Sequence, residues 1–380
     1  MDSAAWERAG LYEPGSPDAA ERLELLEYLC ARGATTGQMV DAHSLGALPG
    51  LAGDLVLQAL GTPMLSVEEI AVRSETPVSR VLRALLAAGI PAEPDSEVPA
   101  SLVRFMAAFE GGSALMGEDA ILAFTRVLGA AANNVGEAAI ALFFAELGPG
   151  TEREGPDELS RAKLAEAATT AFAQVPDVLA HLVMHAFVRA ERRAEQARAA
   201  VTADRADTPE VLGPTEHVAL GFVDLVGSTA WAESLDLRDQ SLALARFESA
   251  AWSSAVLAGG RVVKTIGDEV FFAAPSADAA CRIGLDVCRA VADDQVLPPA
   301  RGAVGIGAAT PREGDYFGPM VNVLARLAKA GAPGEIVVTE ATVAELSAGE
   351  RRLEALEPAS LRGVDGPVQA FHVEHSAPGH

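Results

Sequence analysis

Apolar positions follow two different periods along this chain of 380 residues. Up to about residue 205 they recur at intervals of three and four, the spacing of one helix face. From about residue 216 short apolar runs typical of strands alternate with helical stretches. We therefore predict an all-α N-terminal domain over 1–205 and an α+β domain over 206–380. A linker is predicted at 204–214, which contains two prolines and loses the periodicity.

The second domain has the alternation of a sheet with helices packed on it. Its strands are predicted at 217–224, 261–266, 269–274, 302–308, 335–338 and 369–374. Its helices are predicted at 230–258, 277–292, 318–330 and 340–346.

Two short helices in the first domain admit two interpretations. Ser66-Val67-Glu68-Glu69 has the pattern of a capping box that starts one helix, and 78–86 forms a second helix after a turn at Pro77. These lengths fit a helix-turn-helix that reads DNA, and also a helical hairpin that packs its apolar faces. The hairpin is favoured because the chain is acidic and the segment carries few arginines.

Charge and composition narrow the classes of partner. The net charge is −24, and such a field repels nucleic acid and anionic membranes, so neither is expected as a partner. Three cysteines outside metal-ligand spacing indicate a reduced, cytoplasmic protein. The N-terminus lacks the features of a signal peptide, and no apolar run reaches the about 18–20 residues of a membrane span.

Two carboxylates stand where predicted strands end. Asp224 follows the apolar run 218–223 and leads into Gly227-Ser228-Thr229, whose amides suit an anion at a helix N-terminus. Asp268 lies in a tight turn between two strands, four residues after Lys264. Either aspartate alone is an ordinary strand end. Together they suggest divalent metal bound to a nucleotide, because carboxylates hold Mg²⁺ or Mn²⁺ against phosphate oxygens.

A third motif spans 314–327. Pro319 suits the first turn of a helix, and Asn322 and Arg326 then lie at i and i+4 on one face. An amide and a guanidinium among apolar neighbours indicate a binding face, although a solvated stripe would have the same spacing.

These three motifs, in this order, resemble the catalytic domain of the class III nucleotidyl cyclases, the adenylate and guanylate cyclase family. The similarity covers roughly 215–375 and implies a ferredoxin-like α/β-sandwich domain. Gly267-Asp268-Glu269 superficially resembles the signature of diguanylate cyclases, but Ile266 stands where those have glycine, and the helix with Asn322 and Arg326 is foreign to them.

The resemblance implies a role for each matching residue. Asp224 and Asp268, with the Leu225 carbonyl, would hold two Mg²⁺ or Mn²⁺ ions. Lys264 and Asp315 would contact the base, and their chemistry fits adenine because lysine donates to N1 and aspartate accepts from the exocyclic amine. Guanine presents the opposite pattern on that edge.

The remaining implied roles concern the ribose and the phosphates. Asn322 would orient the ribose and Arg326 would stabilise charge on the α-phosphate. Arg362 matches a cation that reaches the distal phosphates, although an exposed arginine near a turn is often only solvated. The implied reaction converts ATP to 3′,5′-cyclic AMP and pyrophosphate by in-line attack of the ribose 3′ oxygen.

The family shares its sites between two chains, so the resemblance implies a homodimer with two equivalent sites. The two aspartates would come from one chain and the base, ribose and phosphate residues from the other. A catalytically silent nucleotide-binding regulator is the alternative function.

Two departures from the family pattern stand out. Ala303 replaces a frequent phosphate-binding arginine, and Arg301, on the same strand face, is the candidate substitute. The connection from Gly307 to Asp315 is also about two residues short. In the family this segment commonly takes part in the dimer contact, so its shorter length would affect the stability of the dimer.

The helical N-terminal half resembles the regulatory domain of actinobacterial cyclases, which implies autoinhibition or activation, in some cases by pH. His181 and His185, at i and i+4, are candidate proton sensors or packing histidines. A zinc site is disfavoured because no third ligand is evident.

Overall fold

The computed structural model describes residues 3–61, 63–147, 157–204, 215–347, 351–364 and 366–375. It divides into two compact units, Met1–Ala186 and Phe187–His380. The linker that the sequence predicts lies outside the described residues, except for Asp204, which ends a helix. The fold class is confirmed as helical in the N-terminal part and mixed α+β in the C-terminal part.

The N-terminal unit is built from helices and one two-stranded ribbon, which the sequence pattern did not predict. In chain order the elements are α1 (Ser3–Arg8), α2 (Ala19–Ala31), α3 (Thr36–Ser44), a 3₁₀ turn (Leu48–Gly50), α4 (Leu51–Ala59), β1 (Met64–Ser66), α5 (Val67–Arg73), α6 (Val78–Ala87), β2 (Glu97–Pro99), α7 (Leu102–Met116), α8 (Glu118–Leu147), α9 (Glu158–Phe172) and α10 (Val175–Asp204).

The capping box at α5 is confirmed. The Glu69 amide donates to Ser66 Oγ over 3.1 Å, and the Ser66 amide donates to the Glu69 carboxylate over 2.9 Å. These two bonds satisfy amides that the first helical turn leaves unpaired.

The pair α5–α6 packs as a helical hairpin. Its apolar residues, which include Ile70, Val81 and Leu85, are buried in one cluster with residues of α7. Arg80 and Arg83 of α6 both bind Glu118 over 2.8 Å. Because carboxylates already hold these arginines, the structure favours the hairpin over a DNA-reading helix.

A single helical stretch in the described part of the chain, Glu158–Glu195, is long and apolar enough to cross a membrane by length and composition. It covers α9 and most of α10.

The C-terminal unit contains one large mixed sheet. Its elements after α10 are β3 (Glu216–Leu225), α11 (Ser228–Glu233), α12 (Leu237–Leu257), β4 (Arg261–Ile266), β5 (Glu269–Ala274), α13 (Ala277–Asp293), β6 (Ala300–Arg312), β7 (Asp315–Phe317), α14 (Pro319–Ala330), β8 (Ile336–Thr339), α15 (Glu340–Val343), β9 (Arg351–Ala355), β10 (Ala359–Ser360), β11 (Pro367–Val368) and β12 (Ala370–His375). The strand order is β4-β5-β3-β6-β8-β12-β9, and β7 pairs with the end of β6.

Helices cover both faces of this sheet. The residues of β3 alternate, so Val223 and Leu225 pack with α12 and α13 while Leu220 and Phe222 pack with α14. Only β6 and β8 run parallel among neighbouring strands of the described sheet.

The predicted helix 230–258 is two helices in the structure. A cap separates them, because the Asp236 side chain accepts from the Asp239 amide over 2.8 Å and starts α12 there. The other predicted elements of this unit agree in type, while β7, β9, β10 and β11 were not predicted.

Candidate active site

A row of charged side chains crosses the centre of the sheet. Asp224 near the end of β3 is directly opposite Glu269 on β5 and Arg301 on β6. Directly paired residues project from the same face of a sheet, here the face that carries α14. Arg301 Nη2 lies 3.4 Å from Asp224 Oδ2, and Lys329 Nζ of α14 lies 3.2 Å from Glu269 Oε2. The row therefore places two neighbouring carboxylates between two cations, in the order Lys329, Glu269, Asp224 and Arg301.

The turn between β4 and β5 brings Asp268 to the same strand end. The Leu225 amide donates to the Asp268 carbonyl oxygen over 3.1 Å, and Ser228 Oγ donates to the Asp268 carboxylate. Gly227 takes a φ of 70°, which a side chain would strain, and so lets the chain turn from β3 directly into α11. Thr229, the third residue of the predicted loop, is exposed.

The two aspartates repel each other electrostatically. Burial, followed by the charge of Asp268, raises the pKa of Asp224, while Arg301 and Lys329 act in the opposite direction. Two carboxylates and a backbone carbonyl are oxygen donors of the kind that Mg²⁺ and Mn²⁺ prefer. The residues thus fit a divalent cation chemically, since positive charge between the aspartates would relieve their repulsion.

No group of three or more His, Cys, Asp and Glu side chains with metal-binding geometry occurs among the residues described. A cation at Asp224 and Asp268 would therefore draw further oxygen ligands from the Leu225 carbonyl, solvent or a bound phosphate.

Lys264 and Asp315 form an ion pair. Lys264 lies opposite Phe271 on β5, and its ammonium stands 5.7 Å from the centre of that ring. The Phe271 ring stacks on Phe222 with centroids 4.3 Å apart, so the lysine packs over a pair of stacked rings. The structure thus brings together the two residues that the resemblance assigns to the base.

A tight hairpin positions Asp315. Glu313 and Gly314 have φ of 54° and 83°, as both central residues of a type I′ turn require, and Arg312 pairs with Asp315 across it. The Gly314 carbonyl accepts from Arg261 over 3.1 Å. The short connection noted in the sequence is therefore this two-residue turn.

Helix α14 carries the third motif. Leu324 and Leu327 face the sheet and are buried, while Asn322 is exposed and Arg326 is half-buried. Arg326 Nη1 is buried and has no hydrogen-bond partner among the described residues. A Cβ built on Gly363 would lie 3.5 Å from Arg326 Nη2, so the exposed Arg362 stands in a loop beside this guanidinium. A buried guanidinium nitrogen without a partner argues against a merely solvated stripe.

Three charged residues of this region lie outside the three motifs that the sequence contains. Glu269 follows Asp268 directly, Lys329 lies one helical turn beyond Arg326, and Arg301 was only a candidate substitute for an arginine at position 303. Ala303 itself is fully buried. Their shared position depends on strand register, which the spacing of charges along the sequence does not reveal.

The two candidate sensors lie on α10 and are exposed. His181 Nδ1 lies 2.8 Å from the Asp177 carbonyl oxygen, a contact within one helical turn. Exposure argues against the packing interpretation for both His181 and His185.

Comparisons place the chain among bacterial relatives. The uncharacterized protein Rv2212 of Mycobacterium tuberculosis is 30% identical over 378 residues, covering 98% of this chain and 94% of the relative. The pH-sensitive adenylate cyclase MT1302 of the same species is 26% identical over 379 residues, covering 96% and 90%. An adenylate cyclase of Glutamicibacter nicotianae is 38% identical over 157 residues, covering 41% of this chain and 38% of the relative.

Among solved structures, the adenylyl cyclase CyaB from P. aeruginosa aligns with a TM-score of 0.39 and 22% identity, covering 43% of this chain and 97% of that one. No family model matches the chain.

Proposed function

Because the chain belongs to the class III nucleotidyl cyclase family, we propose that it is an adenylate cyclase, which converts ATP to 3′,5′-cyclic AMP and pyrophosphate. The observation that carries the proposal is the joint placement of Asp224 and Asp268 at one strand end of a sheet that also holds the Lys264–Asp315 pair. Adenylate cyclases among the relatives support it.

Asp224, Asp268 and the Leu225 carbonyl would hold the metal ions. Two Mg²⁺ or Mn²⁺ ions bound there would supply the positive charge that activates the ribose 3′ oxygen and stabilises the phosphates. Ser228 fixes the Asp268 carboxylate through its hydroxyl, and Arg301 holds Asp224 from the neighbouring strand. These contacts orient the carboxylates before the nucleotide binds.

Lys264 and Asp315 select adenine. Their ion pair keeps both side chains at one point, and each has the hydrogen-bonding character that the adenine edge requires. Guanine would leave the lysine facing a donor and the aspartate facing an acceptor, which is a large penalty in a desolvated pocket.

Asn322 and Arg326 act on the ribose and the α-phosphate. Arg326 Nη1 has no hydrogen-bond acceptor among the described residues, so an oxygen of a bound phosphate could accept a hydrogen bond from it. Arg362 adds a cation toward the distal phosphates. We assign these three residues, with Lys264 and Asp315, to the site whose aspartates belong to the partner chain of a homodimer.

Cyclic AMP formation tests the proposal directly. Purified full-length chain with ATP and Mn²⁺ is expected to form cyclic AMP and an equal amount of pyrophosphate. GTP supplied alone should be used at least about a hundredfold less efficiently, since mismatched hydrogen bonds discriminate strongly. Binding of ATP without any product would instead support the silent nucleotide-binding regulator.

We further propose that the N-terminal unit regulates this activity, in part through pH. The pH-sensitive relative aligns over 96% of this chain, and His181 and His185 are exposed on α10, the helix that continues into the C-terminal unit. The full-length double variant His181→Gln and His185→Gln should change the activity profile between about pH 5.5 and 8, the range in which histidine titrates. A profile identical to that of wild type would remove these histidines as sensors.

A further inference from the structure

We propose that Lys329 binds the distal phosphates of the nucleotide, and then the leaving pyrophosphate, at the site formed by Asp224 and Asp268 of its own chain. The inference rests on the proposed function, because it assigns a further residue to that same site. It starts from an ion pair that the sequence motifs do not include.

Strand register places Lys329 beside the metal-binding aspartates. Its ammonium lies 3.2 Å from Glu269 Oε2, and Glu269 is the direct cross-strand partner of Asp224 on the same face of the sheet. Such neighbours have Cβ atoms about 5 Å apart. A lysine that contacts Glu269 is therefore within reach of phosphates bound by cations at Asp224 and Asp268.

Glu269 is a buried anchor for this lysine. Its side chain is 10% exposed, and Oε2 has no well-oriented hydrogen bond among the described residues, although the Lys329 ammonium is close. A buried carboxylate without a well-oriented donor is costly. The contact thus retains the lysine by charge without fixing the direction of its three N–H donors.

Lys329 has the exposure that a ligand-binding cation needs. Its side chain is 60% exposed, whereas that of Arg301 is 22% exposed and donates to the Gly331 carbonyl over 3.2 Å besides facing Asp224. Both terminal nitrogens of Arg301 are therefore held by the protein, and the buried Ala303 carries no charge. Because the net charge of −24 repels an anion such as pyrophosphate, binding of this leaving group requires a local cation.

Helix α14 would then serve two sites. Asn322, Arg326 and Lys329 occupy positions i, i+4 and i+7, so they lie along one stripe. Asn322 and Arg326 are assigned to the site whose aspartates belong to the partner chain. Lys329, at the C-terminal end of the helix, lies beside the aspartates of its own chain.

Binding of inorganic pyrophosphate in the presence of Mn²⁺, measured by calorimetry on the full-length chain, tests the inference without turnover. Lys329→Met should weaken this binding about tenfold, while Lys329→Arg should retain most of it, because a charge-assisted contact to phosphate is lost only in the first. Arg289→Met is the matched control, since Arg289 is an ion-paired surface cation of 57% exposure on α13 and should bind as wild type does.

Titration of Mn²⁺ alone, followed by electron paramagnetic resonance, separates ligand binding from a structural role. Lys329→Met should bind Mn²⁺ as tightly as wild type or more tightly, because a cation near the carboxylates is gone. Weaker binding of both Mn²⁺ and pyrophosphate would mean that Lys329 only supports the carboxylates, and would overturn the inference.

The outcomes also separate this inference from the proposed function. If Lys329→Met binds pyrophosphate with the same affinity as the unaltered chain, the role of Lys329 is contradicted and the proposed function is not affected. Absence of manganese-dependent pyrophosphate binding by the unaltered chain would contradict the proposed function and the inference together.

Discussion

Replacing Asp224 by asparagine is expected to reduce cyclic AMP formation at least about a thousandfold, because the side chain loses the charge that holds divalent cations against the phosphates. Asparagine keeps the size of the buried side chain, so the loss would reflect charge and not packing. Asp293→Asn, at the exposed end of α13 in the same unit, is the matched control and should keep wild-type activity.

The same substitution should stabilise the fold. The folded-state pKa of Asp224 is raised above the ordinary value of 3.8, chiefly by burial, so folding favours its protonated form. The free energy of unfolding therefore falls as pH rises from 3.8 through the raised pKa, and the penalty is complete above it. Asparagine has no such penalty.

Thermal unfolding measured against pH checks this expectation. Asp224→Asn should melt above wild type at neutral pH, and the difference should close below pH 3.8. Added Mn²⁺ should raise the melting temperature of wild type and leave that of the variant unchanged, because only a folded chain with both aspartates binds the ion. A variant that is less stable than wild type at pH 7 would contradict the electrostatic description of this site.

Exchanging the base-contacting pair should reverse nucleotide preference. In Lys264→Glu with Asp315→Asn, the carboxylate can accept from guanine N1–H and the amide can donate to O6. The efficiency with ATP should fall about a thousandfold or more, and the preference should shift toward GTP, because hydrogen-bond mismatches at a buried base edge are strongly discriminated. Rates of cyclic AMP and cyclic GMP formation from each nucleotide supplied alone measure the shift.

The ion pair between these residues makes the double variant informative. Lys264→Glu alone would place a second carboxylate against Asp315, so it should be less stable than the double variant. If the double variant kept its preference for ATP, these two side chains would not be the groups that recognise the base.

The sequence was sufficient to predict the elements that carry strong local signals. The capping box at Ser66, the strands on either side of Asp268 and the helix after Gly318 follow from apolar periodicity and from residues with specific backbone preferences. These same signals place Asp224 and Asp268 at strand ends, which is why the sequence alone predicts both as site residues.

The features that escaped prediction depend on tertiary contacts or on uncommon backbone geometry. Glu313 has a positive φ that its residue type disfavours, so the sequence indicates only a connection about two residues short and not the hairpin before Asp315. The row formed by Glu269, Asp224 and Arg301 requires the register of three strands. Lys329 joins this row only because α14 packs on that face of the sheet.

Mixing two inactive full-length variants tests the central claim, that each active site is shared between two chains. Asp224→Asn retains Arg326, and Arg326→Ala retains the aspartates, so a heterodimer of the two would contain one intact site and one doubly altered site. Co-refolded or co-expressed chains should recover about a quarter of wild-type cyclic AMP formation at equal amounts, since about half of the dimers are mixed and each has one working site. Activity that stays at the level of the separate variants, in a sample shown to contain mixed dimers, would contradict the shared site.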